Sequence, residues 1–261
     1  MRQIADDVQA FKRRLDDDRV KRREEHGPLP DEPVQETCLG CKGAGWVLAR
    51  RFNPEESMPS ELVPCTKCGG GPLTVDVIQR RIVASGMDHK RSVTFSNLKP
   101  YDWQVEYWRI ALDYVVRPQG WLWLTGGYST GKTSLAFCIG NEWLDAGKQV
   151  MFRVVPRLLE ELRNGYNKDA ETRYFDLLND VLNAPLLILD DYGKQADTEW
   201  ALERLFQISD HRLEHALPTV VTTNLAMSEL DERSPRLFTR VVDARRVTVV
   251  NFPDLNPEDP F

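Results

Sequence analysis

The stretch Gly126-Gly127-Tyr128-Ser129-Thr130-Gly131-Lys132-Thr133 fits GxxxxGK[ST], and no other part of the chain restricts its fold as tightly. Glycines in such a loop let the backbone curl until successive N–H groups and the start of a helix face one small volume, a cradle for phosphate. The loop needs a strand before it and a helix after it, and the flanks supply both. Trp121-Leu122-Trp123-Leu124-Thr125 is a short apolar run suited to a buried strand. From Lys132 to Ala146, the residues Leu135, Ala136, Ile139, Trp143 and Leu144 share one helical face, and Gly147 closes the helix. Lys132 is expected to bridge the β- and γ-phosphates of ATP, and the Thr133 hydroxyl to ligate Mg²⁺. Ser134 completes the set of expected nucleotide contacts. Cys138, on the same helix, reads as a small core residue.

Around this unit, from about Val93 onward, strands alternate with helices. Val150 to Val154, Pro185 to Asp190, Thr219 to Thr223 and Val247 to Asn251 read as strands. Leu158 to Arg163, Thr172 to Leu182, Thr198 to His215 and Ser234 to Asp243 read as helices. The alternation predicts an α/β fold, a parallel sheet with helices on both faces. Leu186-Leu187-Ile188-Leu189 is too continuously apolar to have a wet face. It ends in Asp190-Asp191, where Asp190 is expected to end the strand and hold the Mg²⁺, and Asp191 to orient an attacking water. Asn224, after Val220-Val221-Thr222-Thr223, either senses the terminal phosphate or forms a turn. Arg233, Arg236, Arg240, Arg245 and Arg246 crowd a short downstream stretch. One of them could reach a neighbouring subunit's phosphates, although composition alone reads as a solvated basic face. Tyr101, Trp103, Tyr107 and Trp108 precede the loop strand, and Val105, Trp108, Leu112 and Val115 share a helical spacing that predicts core packing.

The amino-terminal third is built differently. Residues 1–35 hold charges of both signs, a thin apolar stripe (Ile4, Val8, Phe11, Leu15) and then a Pro-rich linker. Residues 36–75 contain two CxxC turns, Cys38/Cys41 and Cys65/Cys68, 23 residues apart, amid glycines and few apolar residues. Two such turns can close a tetrahedral Cys₄ shell around structural Zn²⁺; the alternative is four reduced cysteines without metal. Trp46 and Phe52 could stack on bases beside Arg50 and Arg51, but docking to a protein is the preferred use of this module. Residues 76–261 form the nucleotide-binding domain. With 34 Lys+Arg against 40 Asp+Glu the chain has a net charge of −6, so nucleic acid would have to meet local basic patches. No apolar run is long enough to span a membrane, and the first residues contain no export signal, so a cytoplasmic location is expected.

With the loop, the paired acids, Asn224 and the arginines in this order, the region from Val93 to Asn251 resembles the AAA+ ATPases of the DnaC/DnaI/IstB group of helicase loaders and transposition ATPases. The resemblance rests on Gly-Trp-Leu-Trp-Leu-Thr-Gly-Gly-Tyr-Ser-Thr-Gly-Lys-Thr-Ser-Leu-Ala, Leu-Leu-Ile-Leu-Asp-Asp-Tyr-Gly and Val-Val-Thr-Thr-Asn-Leu. It also rests on Arg236-Leu237-Phe238-Thr239-Arg240-Val241-Val242-Asp243. It implies a sensor role for Asn224 and an arginine-finger role for Arg240, with Arg236 in reserve. It implies ATP hydrolysis, an ATP-dependent homo-oligomer, and contact of residues 156–182 with DNA, expected to be single-stranded. Leu98 or Tyr101 would line the adenine pocket. The implied partner is a DnaB-like replicative helicase, with a transposase as the rival; a third reading is a zinc-dependent switch that hardly hydrolyses ATP. Two departures stand out. Asp191 replaces the usual Glu, and only 21 residues follow Arg240, too few for a carboxy-terminal helical lid.

Overall fold

The computed structural model describes residues 46–49, 61–64, 75–146, 148–165, 171–242 and 246–254. The charged segment 1–35 and all four cysteines of the expected zinc site (Cys38, Cys41, Cys65 and Cys68) lie outside them, as do Gly147 and Arg245. Between the two cysteine pairs, β1 (Trp46–Ala49) and β2 (Glu61–Pro64) form an antiparallel pair with Trp46 opposite Pro64.

The nucleotide-binding region is a five-stranded, wholly parallel sheet. Its strands are β3 (Trp121–Gly126), β4 (Met151–Val154), β5 (Leu187–Tyr192), β6 (Thr219–Thr223) and β7 (Val247–Phe252), in the spatial order β4-β5-β6-β3-β7. Successive side chains of a strand point to opposite faces, and the sequence fills both with apolar groups. On one face Leu122, Leu124, Ile188, Val220 and Val250 pack against Trp108, Ala111 and Leu112 of helix α2 (Val105–Val116) and Leu135, Ile139 and Trp143 of α3 (Lys132–Asp145). On the other, Trp121, Trp123, Leu187, Leu189 and Val221 meet α4 (Val155–Asn164), α5 (Glu171–Asn183) and α6 (Glu199–Glu214). The expected α/β architecture is therefore present. Cys138 is fully buried on α3 and Trp108 is core, as their spacing implied.

Two helices lack a counterpart in the sequence reading: α1 (Val75–Ser85) and α7 (Met227–Arg233). The first had a cue in Val75, Ile78 and Ile82, while the second is only seven residues long, with Leu230 alone buried. The expected Ser234–Asp243 helix is α8 (Pro235–Val241), which packs on α6. One boundary is corrected. Asp190 does not end its strand: β5 continues to Tyr192 through a bulge between Leu189 and Tyr192, opposite Val221 and Thr223 of β6. The extra residue bends the strand and re-aims its side chains.

Arg212 of α6 keeps this end of the core together. It is fully buried, yet its guanidinium donates to the Thr219 hydroxyl and to the carbonyls of Val181, Leu182 and Pro218. Orphan carbonyls at the end of α5 are thereby satisfied, and the start of β6 is fixed.

Candidate functional site

In open parallel sheets ligands gather at the carboxyl ends of the strands, where loops leave one layer for another. Here β3, β5 and β6 deliver their polar residues to that edge. The loop after β3 turns back through Ser129 at φ 58° and Gly131 at φ 91°, and α3 begins at Lys132. Gly126, at φ 125°, also lies against the Phe252 carbonyl, 2.1 Å from where a Cβ would stand, so only glycine fits.

Lys132 is buried, and its ammonium is held entirely by the loop. Nζ donates to the Gly126 carbonyl at 2.8 Å, to the Gly127 carbonyl and to the Thr130 hydroxyl at 3.1 Å. Burial lowers its pKa to about 8, against the pull of Asp191 and Asp190. A desolvated ammonium resting on neutral oxygens suits an incoming phosphate anion. The Thr130 hydroxyl donates to the Gly127 carbonyl, and the Thr130 carbonyl accepts from Gln104 Nε2 at 2.9 Å. Tyr128 is exposed at the rim, and Ser134 faces solvent one turn into α3.

Across the cleft, Asp190 Oδ1 accepts hydrogen bonds from Thr133 Oγ1 at 2.8 Å and from Thr222 Oγ1 at 2.6 Å. Burial raises its pKa, and these two hydroxyls partly oppose the shift. A buried carboxylate touching the hydroxyl at the start of α3 is a hard-oxygen donor set, the chemistry that Mg²⁺ selects. The donors present therefore fit a Mg²⁺–nucleotide: Lys132 and the loop amides for phosphate, Thr133 and Asp190 for the metal.

Asp191 shares a left-handed backbone with Ser129 of the loop. It is not glycine yet sits at φ 58°, a left-handed conformation that costs about 1–2 kcal/mol. Its N–H donates to Thr222 Oγ1 at 3.1 Å, and its carboxylate pairs with Lys194 Nζ at 2.7 Å. Gly193, at φ 94°, completes the turn, and its carbonyl accepts from Arg233 at 3.1 Å.

The remaining expected residues lie further out. Asn224 is half-buried just past β6 and, among the described residues, makes no side-chain hydrogen bond. Arg240 of α8 pairs with Asp210 of α6 at 2.7 Å, and Arg236 lies over the Phe206 ring at 5.5 Å. Neither is brought to the phosphate loop of its own chain by these contacts. Arg246 donates to the Leu213 carbonyl. Leu98 packs against the core and Tyr101 stacks on Trp103. Sequence reasoning missed Thr222, Gln104 and Lys194. Thr222 had a weak cue as a hydroxyl near the end of a buried strand; the other two had none.

Comparison with known proteins agrees with this geometry. A family profile described as IstB-like ATP binding protein matches residues 102–238, just over half of the chain. The replicative helicase loader DnaC of Escherichia coli K12 is 32% identical over 123 residues, 47% of this chain and 49% of that protein. The replicative helicase loader DnaI of Bacillus subtilis is 31% identical over 110 residues, 42% of this chain and 34% of its own length. A protein of insertion sequence IS1162 from Pseudomonas fluorescens is 32% identical over 113 residues, 43% of this chain and 47% of that protein. The matches thus span half or less of these relatives. Among solved structures, the DnaC helicase loader superposes with a TM-score of 0.53 at 20% identity, covering 67% of this chain and 99% of that one. The replication initiator DnaA bound to AMPPCP and single-stranded DNA gives 0.55 at 18% identity, covering 63% and 50%. These likenesses share the P-loop fold. With strand, phosphate loop and paired acids in the matched region, the chain belongs to the IstB-like ATP-binding family.

Proposed function

We propose that this chain is an ATPase that loads a DnaB-type replicative helicase onto DNA, expected to be single-stranded, acting as an ATP-dependent homo-oligomer. One observation supports it above the others: Lys132, the Thr133–Asp190 pair and Asp191 converge at one sheet edge, in a chain similar to proteins named replicative helicase loaders. Lys132 and the loop amides bind and orient the phosphates, with Gly126 to Ser134 lining them, and Thr133 and Asp190 hold the metal. A bound Mg²⁺ supplies charge neutralisation for phosphoryl transfer. Asp191 orients the attacking water, and Asn224 fixes it from the end of β6. Arg240, or Arg236 in reserve, neutralises developing charge in a neighbouring subunit's site. Helices α4 and α5, inserted between β4 and β5, face DNA.

The amino-terminal module is assigned a Cys₄ zinc site from Cys38, Cys41, Cys65 and Cys68, with docking to the helicase as its use. The pairing of Trp46 with Pro64 supports it, because the chain enters and leaves that hairpin at one end. Freshly purified, reduced protein should hold about one zinc per chain, and Cys38→Ser or Cys68→Ser should lose it. Metal analysis without zinc refutes the site.

The family profile and the insertion-sequence relative favour a second reading, a transposition ATPase that stimulates a transposase. Pull-down against a DnaB-type helicase and a transposase, with and without ATP, separates the two. ATP-dependent retention of the helicase alone supports the loader, and retention of the transposase alone overturns it.

A further inference from the structure

The proposed reaction leaves Lys194, a charged group at the site, unused. Lys194 stands at the mouth of the phosphate cleft, between the turn that holds the acids and the loop that would hold the nucleotide. Its ammonium is 2.7 Å from Asp191 Oδ1 on one side and 5.7 Å from the centre of the Tyr128 ring on the other. Tyr128 belongs to the phosphate loop, so this cation bridges the two walls of the cleft. The surrounding turn is built to put it there. Asp191 and Gly193 are both left-handed, the Lys194 N–H donates to the Asp191 carbonyl, and the Gly193 N–H donates to Gln195 Oε1. A cation joined this closely to Asp191 occupies the oxygen that Asp191 would offer to water. Lys194 is nevertheless about half exposed, at 45%, on a long flexible stem, and can exchange partners at little cost.

We propose that Lys194 is a positioning residue that distinguishes nucleoside triphosphate from diphosphate. Paired with Asp191 it latches that carboxylate; a bound triphosphate draws the ammonium to its γ-phosphate and so frees Asp191 for water. The direction of exchange follows from charge. A terminal phosphate is more highly charged than one carboxylate and offers an ammonium more acceptor oxygens. A diphosphate also ends in a charged phosphate, but on this reading that β-phosphate is the one gripped by Lys132 and the loop amides and no γ-phosphate lies beyond it, so the latch stays shut. This inference rests on the reading that Lys132 and its loop hold ATP.

The test uses the full-length chain with Mg²⁺, and compares affinities for ADP and for a non-hydrolysable ATP analogue by calorimetry. Lys194→Met keeps the stem and removes the charge. It should weaken binding of the analogue about tenfold, the scale of one charge-assisted contact, and leave ADP affinity within about twofold; Lys194→Arg should restore the preference. Equal losses for both nucleotides, or no loss, overturn the proposal. A double-mutant cycle provides the second readout. Asp191→Asn opens the latch and removes a negative charge near the phosphates, so analogue binding should tighten. That gain should be smaller in the Lys194→Met background, because no latch is left to open. Gains of equal size in both backgrounds mean simple repulsion and contradict the proposal. Lys132→Ala keeps the two levels apart. Loss of both nucleotides upholds the loop assignment whatever Lys194 does, whereas unchanged affinity for both removes that assignment and this inference with it.

Discussion

The phosphate cleft and the arginine-bearing helix α8 hold the same kinds of polar side chain, but they are organised in opposite ways. At the cleft, groups from two strands and the start of α3 converge: Thr133 and Thr222 both donate to one oxygen of buried Asp190, and Lys132 is enclosed by its own loop. On α8, Arg240 points outward and is paired with a partly exposed Asp210, and Arg236 lies on Phe206. On the proposed reading the cleft binds its ligand within one chain, and the arginines would meet a phosphate only where a second chain brings one. Burial would then mark the half of the site that a single chain organises, and exposure the half left for assembly.

The largest effect that separates the two regions should come from Arg240→Ala. Turnover should fall by roughly 10³- to 10⁵-fold where the finger is fully engaged, with ATP affinity nearly unchanged; steady-state hydrolysis beside equilibrium binding checks both. An equal fall in affinity would move Arg240 into the cleft of its own chain. Next comes Asp191→Asn, which keeps size and removes charge. Turnover should drop by roughly 10- to 1,000-fold, the scale of one positioned catalytic group, while ATP still binds. Undiminished turnover assigns the water to another residue.

The smallest effect is a proton. Burial holds Lys132 at about 8 in the nucleotide-free chain, and phosphate favours its charged form, so its pKa rises on binding. Below pH 7 the lysine is already protonated and binding takes up no proton there. Near pH 9 binding should take up a fraction of one, and affinity should weaken as pH rises past 8. Calorimetry in two buffers of different ionisation enthalpy measures the uptake, and its absence at pH 9 contradicts the assigned contact.

The same contrast governs what was legible in the sequence. The β3–loop–α3 unit could be read because every signal in it is local: an apolar run, spaced glycines and one helical face. Asp190 could be read for the same reason, as the first charge after Leu186-Leu187-Ile188-Leu189. Its neighbour could not be placed, because the left-handed Asp191 depends on a bulge set by pairing with β6. Lys194 became visible only once that turn was formed. Thr222 gains its role because β6 lies between β5 and β3, a fact of strand order and not of local pattern. Asp210 and Arg240 are far apart in sequence and meet only because α6 packs on α8. Local chemistry was readable; long-range pairing and bulge geometry were not.

Mixing two inactive variants tests the shared site most directly. Lys132→Ala lacks a phosphate grip but retains its arginines, and Arg240→Ala lacks the finger but retains its cleft. Each alone should hydrolyse almost no ATP, and a mixture should regain activity because intact half-sites meet at some subunit boundaries. If that mixture stays inactive, and Lys132→Ala mixed with Arg236→Ala stays inactive as well, the two regions do not form one site across subunits. The chain is then better described as a nucleotide-binding switch.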